Sequence, residues 1–331
     1  LTVNNKKTLL LVDDEPTNLR VLKQLLEDDY RLIYAKNGEV AIKLALEHNP
    51  DLILMDVMMP EMTGIEACRH LKLDKRTRYI PVIFVTALKD EVDETAGFEA
   101  GGVDYITKPI SPAIVKARVK THLSLVQAEE LRRTRLQVIQ RLGRASEYKD
   151  NETGTHIIRM SYYSKIIALA YGYSDDDADD LFHAAPMHDI GKIGISDHIM
   201  LKPGKLTDSE FEEIKKHPLI GAEILGDCDS SLLLLAKSVS LYHHEKWDGT
   251  GYPHGIQGEQ IPIEGRIIAL ADVFDALTSK RPYKEAWSVD TTMDYIREQS
   301  GKHFDPTLVT ILEQELDKML EIKAKWPEDD E

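Results

Sequence analysis

At 331 residues the chain is long enough for about two domains, each able to bury its own core. Its 57 acidic against 41 basic residues leave a net charge of -16, the wrong sign for a surface that must displace counterions from nucleic acid. No apolar run approaches a membrane span, the opening residues carry no secretory pattern, and two cysteines, Cys68 and Cys228, cannot build a disulfide framework, so a cytoplasmic protein that binds neither nucleic acid nor membrane is expected.

From residue 8 to about 111, short β-rich runs alternate with amphipathic helical stretches, and residues 9–12, 31–35, 51–55, 81–85 and 103–106 read as five strands. Alternation of this kind predicts a doubly wound α/β unit, a parallel sheet with helices on both faces and its working residues at the carboxyl ends of the strands. Asp13 and Asp14 follow the first of these runs, Asp56 the third, Thr86 the fourth, and Lys108 with Pro109 the fifth. One Asp after a strand is usually a loop residue or a helix cap. Asp13, Asp14, Asp56, Thr86 and Lys108 together, at the ends of four strands, are not explained that way.

The set resembles the receiver domain of two-component response regulators, over about residues 5–125. The resemblance implies that Asp56 is the phosphoacceptor. It also implies that Asp14 and Asp56, with the Met58 carbonyl and with Asp13 through water, hold Mg²⁺, a hard ion suited to grouped oxygens. Lys108 would pair with the incoming phosphoryl group, Thr86 would hydrogen-bond to it, and Tyr105 would be the aromatic that turns inward on activation. A cognate sensor histidine kinase and a cis bond before Pro109 are implied as well.

Residues 113–149 hold one glycine, Gly143, and no proline, and are rich in Ala, Leu, Val, Gln, Arg and Glu. They read as one long helix. Ile114, Ala117, Leu123, Val126, Leu131, Leu136, Ile139 and Leu142 form an imperfect apolar stripe, suited to packing on its own domain or to a coiled-coil linker in a homodimer. The expected organisation is a receiver at 1–125, a helical linker at 126–148 and a second domain at 149–331.

The rear half carries Glu152, His156, His188, Asp189, His217, His243, His244 and Asp272. Glu152 and His156, four apart, share one face of a helix. An Asp beside a His can bridge two cations with its two oxygens while the imidazole binds one of them. Imidazole and carboxylate without thiolate suit Mn, Fe, Ni, Co or Zn and do not select among them. The set exceeds what one mononuclear site can use, so two metals are the minimum. His183, His198, His254 and His303 are read as structural, and the acidic run 175–180 as a helix-start loop.

The strings around these residues run from His156-Ile157-Ile158-Arg159 through His188-Asp189-Ile190-Gly191-Lys192 and His217 with Gly221. They continue with His243-His244-Glu245, the glycine loop 248–253, and the stretch 271–277 around Asp272. In that order they resemble HD-GYP domains, the branch of the HD metal-dependent phosphohydrolases that cleaves cyclic di-GMP, over about residues 150–306. The resemblance implies an all-α domain with His156, His188, Asp189, His217, His243, His244 and Asp272 as ligands of two transition metals, iron or manganese foremost. Glu152 resembles the subset holding a third.

It further implies that Lys192 steadies a nonbridging phosphoryl oxygen, that Asp189 and Lys192 are the catalytic pair, and that Arg281 and Lys284 bind substrate phosphate. Against an acidic protein such cations create a local potential for an anionic ligand. The Gly251-Tyr252-Pro253 loop would support the site and meet partner proteins. The implied function is a phosphorylation-regulated cyclic di-GMP phosphodiesterase whose final product is either pGpG or, after a second cleavage, GMP. The alternatives are hydrolysis of 3′,3′-cyclic GMP-AMP and a non-catalytic adaptor that binds cyclic dinucleotide.

Overall fold

The structure, a computed structural model, describes residues 6–327 except 88–90, 148, 150–153, 228 and 281–284. Glu152, Arg281, Lys284 and Cys228 therefore lie outside the described residues. The chain forms two compact units, Leu1–Arg133 and Thr134–Glu331.

In the first unit the five expected strands form: β1 (Thr8–Val12), β2 (Arg31–Ala35), β3 (Leu52–Asp56), β4 (Val82–Thr86) and β5 (Asp104–Thr107). They pair in parallel in the order β2-β1-β3-β4-β5. Side chains of a strand alternate between faces, and here both faces are buried. Leu9, Leu11, Leu52, Leu54, Ile83 and Val85 pack on α1 (Pro16–Leu26) through Leu22 and Leu26, and on α5 (Pro112–Glu147) through Val115 and Val119. Leu10, Val12, Ile53, Met55, Val82 and Phe84 pack the other way, on α2 (Gly38–His48) and α3 (Gly64–Leu73). Cys68 belongs to that second layer, where burial pushes its thiol up to about 11. A fourth helix, α4 (Glu91–Glu99), precedes β5.

Two caps fix where helices begin. Asn37 accepts from the Val40 amide at the start of α2, and Thr63 and Glu66 form a reciprocal capping box at the start of α3. The strand order reverses between β1 and β3, so the residues just beyond those two strands face one crevice.

The linker stretch is a single 36-residue helix, α5. Its inward face differs from the stripe drawn on the sequence. Val115 and Val119 are the buried pair and Ile114 is exposed, because the sheet on which the first turns pack sets the inward direction.

The second unit is built from helices: α6 (Gly154–Tyr171), α7 (Asp175–Ala184), α8 (Asp197–Met200), α9 (Asp208–Ile214), α10 (His217–Leu225), α11 (Ser231–Tyr242), α12 (Ile263–Thr278), α13 (Val289–Glu298), α14 (Pro306–Gln314) and α15 (Leu316–Lys325). Short 3-10 turns at Ala185–Met187 and Ile190–Gly194 follow α7. The acidic run lies inside α7, not in a loop before it. Ser174 caps that helix, and Asp175, Asp176 and Asp177 occupy its first turn, where a helix favours negative charge. Helix α12 is apolar on nearly every side, with Ile267, Ile268, Leu270, Ala271 and Phe274 in the core against Met160, Tyr163 and Ile167 of α6. Asp272 and Asp275 interrupt that apolar surface.

Among the described residues no helix is long and apolar enough to cross a membrane.

Candidate functional site

At the carboxyl end of the sheet, oxygens of Asp13, Asp14 and Asp56 lie within 4.8 Å of one another, a hard-oxygen grouping suited to a divalent ion. Lys108 donates to Asp56 Oδ2 at 2.7 Å and to Asp13 Oδ2 at 3.0 Å. Burial raises the Asp56 pKa, the Lys108 ammonium opposes that rise and the Asp13 charge reinforces it. Burial works to lower the Lys108 pKa, but its two carboxylate partners outweigh this and hold it raised. The Met58 amide lies 3.4 Å from Asp56 Oδ1. Thr86 is buried at the end of β4, and Tyr105 is turned inward against Phe84 and Phe98, with ring centroids 5.3 and 5.1 Å away. The Lys108–Pro109 bond is cis.

In the second unit seven of the eight proposed metal ligands are described, and they fall into two groups. Atoms of Asp189, His217, His243 and His244 lie within 4.8 Å of one another, as do atoms of His156, His188 and Asp272. Asp189 stands between the 3-10 turns at φ -103 and ψ 13, in the sparsely populated bridge region. Its two oxygens face different ways. Oδ1 lies 3.1 Å from His217 Nε2 and 3.4 Å from His243 Nε2, and Oδ2 lies 3.2 Å from His188 Nε2 and 2.7 Å from Lys192 Nζ. Asp189 is held well below the usual carboxylate range: burial opposes this, and Lys192 and the surrounding histidines overcome it.

The other ring nitrogen of each histidine decides what Nε2 can do. His188 Nδ1 meets the Ala185 carbonyl at 3.0 Å, His217 Nδ1 the Ile214 carbonyl at 2.8 Å, and His243 Nδ1 the Ser240 carbonyl at 3.0 Å. A carbonyl only accepts, so each Nδ1 carries the proton and, in the neutral ring, each Nε2 presents a lone pair. Burial lowers the pKa of His243, and burial with the neighbouring His243 lowers that of His244 well below the usual value, which favours neutral rings. His217 Nε2 and His243 Nε2 lie 3.3 Å apart and face the same carboxylate oxygen. A cation between them would take a lone pair from each ring. The donor set, imidazole and carboxylate, fits a borderline divalent metal.

His156 is oriented differently. Its Nδ1 bonds to Asp275 Oδ2 at 2.8 Å, and its Nε2 lies 3.5 Å from Asp272 Oδ1. Asp275 in turn accepts from Arg159 Nε at 2.6 Å and from its terminal nitrogen at 2.7 Å, and the same guanidinium reaches Ser279 Oγ at 2.8 Å and the Trp326 carbonyl at 3.2 Å. Burial works to raise the Asp275 pKa, but Arg159 and His156 bring it down to about 2. Both Arg159 and Asp275 are fully buried.

A cleft of about 400 Å³ opens over the ligands, with Asp189, Lys192, His217, His244, Tyr252 and Asp272 on its walls. Tyr252 stacks on His244 at 4.7 Å. Its loop turns through Gly249 and Gly255, at φ 81 and 64, and a cis Tyr252–Pro253 bond. Glu245 closes the loop from beneath by accepting from the His254 amide at 2.7 Å. The histidines read as structural have other partners: His183 meets Gln140, His198 meets Ser196, His254 lies against Tyr242, and His303 stacks on Phe304.

The profile of the HD domain matches residues 127–308, and that of the response regulator receiver domain matches residues 9–120. The chain belongs to the HD-domain response regulators. A probable cyclic di-GMP phosphodiesterase of Vibrio cholerae is 39% identical to this response regulator over 98% of the chain and 81% of its own length. The cyclic di-GMP phosphodiesterase response regulator RpfG of Xanthomonas campestris is 37% identical over 92% of the chain and 86% of its own length. A 3′3′-cGAMP-specific phosphodiesterase of Vibrio cholerae is 42% identical over 60% of the chain and 38% of its own length.

Reading the sequence of this HD-domain response regulator left Asp275 and Arg159 without roles, although both stand in the quoted motif strings. Their signal was faint: an Asp three residues after Asp272, and an Arg three residues after His156, each facing the core.

Proposed function

We propose that the chain is a metal-dependent phosphodiesterase that opens cyclic di-GMP to pGpG and cleaves it onward to GMP, under control of phosphorylation at Asp56 by a cognate sensor histidine kinase. The reading rests most on Asp189, whose two oxygens face two separate histidine groups. That is the arrangement a carboxylate bridging two cations requires. His217, His243 and His244 would hold one ion, His156, His188 and Asp272 the other, and Glu152 a third. Iron or manganese suits this donor set, with Mg²⁺ at Asp13, Asp14 and Asp56. Bound metals would supply Lewis acidity at the phosphoryl oxygens and lower the pKa of the attacking water.

The protein's own contribution is placement. Asp189 keeps the Lys192 ammonium 2.7 Å away on the cleft wall, poised to take a nonbridging phosphoryl oxygen as charge develops there. Asp275 and the backbone carbonyls fix the ring orientations before substrate arrives. Tyr252 and His244 wall the cleft and exclude water from one side. Arg281 and Lys284 would hold the substrate's phosphates. Leu125, Leu131, Val138 and Leu142, exposed along α5, suit a linker paired in a homodimer, and the proposed location is the cytoplasm.

The test is chromatography of products after Mn²⁺-loaded protein is incubated with cyclic di-GMP and, separately, with 3′,3′-cyclic GMP-AMP. Release of pGpG and GMP from cyclic di-GMP at the higher kcat/KM supports the proposal. Turnover of the hybrid dinucleotide alone reassigns the substrate, and turnover of neither makes the chain an adaptor.

A further inference from the structure

Gly143 is the one glycine in the 36-residue helix α5, at a cost of about 1 kcal/mol relative to Ala. The structure supplies its reason. Gly143 is buried, and a Cβ there would lie 2.4 Å from the Pro186 carbonyl oxygen and 2.6 Å from Pro186 Cβ. Helix α5 therefore lies backbone against backbone on the 3-10 turn Ala185–Met187, whose Ala185 carbonyl holds His188 Nδ1. Ser146, also buried, donates its hydroxyl to the Gly143 carbonyl at 2.6 Å. Just past the helix, Lys149 Nζ donates to the Ile193 carbonyl at 2.6 Å and lies 3.4 Å from Asp197 Oδ1.

Pro186 and Ile193 bracket His188, Asp189 and Lys192 in sequence. The far side of the bracket is equally tight: a Cβ on Gly191 would lie 1.8 Å from the His217 carbonyl oxygen and 2.6 Å from the Gly221 amide nitrogen. The segment is thus held between α5 and α10, with glycine contacts on both sides and no side chain to take up slack. Packed interiors transmit displacement, since they have little free volume to absorb it.

We infer that Gly143 and Lys149 are positioning residues for the hydrolytic site, setting where His188, Asp189 and Lys192 stand relative to His217. This inference rests on the phosphodiesterase reading only for its consequence on turnover; the effect on metal binding stands apart from it.

The experiment compares the full-length wild type with Gly143→Ala, Lys149→Met and Arg144→Ala, an exposed neighbour on the same helix. Three quantities are read: Mn²⁺ affinity by calorimetric titration of metal-free protein, hydrogen exchange over residues 185–195, and kcat and KM for cyclic di-GMP. Gly143→Ala is expected to weaken Mn²⁺ binding about 10-fold, the lower end for lost ligand support. It should also raise exchange over 185–195 and lower kcat more than it raises KM. Lys149→Met should move all three the same way by a smaller factor, and Arg144→Ala should match the wild type.

Ala returns to the helix the roughly 1 kcal/mol that glycine costs it, which offsets part of the strain. Should Gly143→Ala nonetheless fail to fold, Lys149→Met decides alone. Wild-type Mn²⁺ affinity and exchange in Lys149→Met and in folded Gly143→Ala would overturn the inference. If the wild type does not hydrolyse cyclic di-GMP while the variants lose Mn²⁺ affinity, the phosphodiesterase reading fails and the inference stands.

Discussion

Replacing Asp275 by Asn tests how far the metal site depends on residues that never reach the cleft. The carboxylate accepts two bonds from Arg159, at 2.6 and 2.7 Å, and one from His156 Nδ1 at 2.8 Å, all of them buried. An amide offers one acceptor oxygen and points its NH₂ at a donor on the other side. Most of the destabilisation comes from the charge left behind, since Arg159 is 1% exposed and breaking a buried pair costs about 3–5 kcal/mol. Loss of the His156 orienter weakens metal binding by about 10–100-fold, equivalent to roughly 1.4–2.7 kcal/mol.

Urea unfolding of the metal-free protein reads the first quantity and Mn²⁺ titration the second. A double variant, Arg159→Met with Asp275→Leu, removes both charges and should be more stable than the sum of its single variants by about 1–3 kcal/mol. The stability lost in Asp275→Asn should also depend on pH. The folded pKa, about 2, is depressed, so the carboxylate's contribution is complete above the unfolded value of about 3.9. It is lost as pH falls towards 2, and the difference between wild type and variant should shrink over that window. A stability change below about 1 kcal/mol together with wild-type Mn²⁺ affinity would refute the reasoning, because Asp275 would then neither neutralise Arg159 nor orient His156.

Lys192→Ala should lower kcat about 100-fold, as removal of a transition-state donor does, while Mn²⁺ affinity stays close to the wild type; loss of metal instead would make the lysine structural. Asp56→Asn should abolish the response of hydrolysis to acetyl phosphate and leave the metal content of the second unit unchanged, which metal quantification with and without phosphodonor checks. Glu152→Ala should bind one metal fewer under replete conditions, still open the cyclic substrate, and accumulate pGpG. Equal metal counts and equal GMP yield would remove the third site.

The sheet was legible because both its faces are buried: a strand such as β1, with four buried residues in succession, announces itself as an apolar run, and parallel topology then brings the residues beyond the strands' carboxyl ends to one edge. The proposed metal ligands stood out in the sequence because His and Asp recur in order at spacings that core packing does not produce. The groups that support them were not. Asp275 reads as one more polar residue on an apolar helix, and its partner Arg159 stands 116 residues away, so their pairing exists only once α6 meets α12.

The linker stripe failed in its first turns for a related reason. Apolarity alone made Ile114 a seam residue, whereas contact with Leu9, Leu11 and Ile83 turns Val115 and Val119 inward. Gly143 was visible as an exception in a helical stretch. Only the approach of Pro186 explains it.

The central claim is that Asp189 joins two metal positions into one hydrolytic site. Its most direct test is metal quantification on anaerobically purified wild type and Asp189→Asn, with turnover of cyclic di-GMP measured on the same samples. The account predicts at least two metals per chain and production of pGpG in the wild type, and a folded Asp189→Asn with fewer metals and no turnover. An Asp189→Asn protein that keeps both the full metal complement and normal hydrolysis would contradict it.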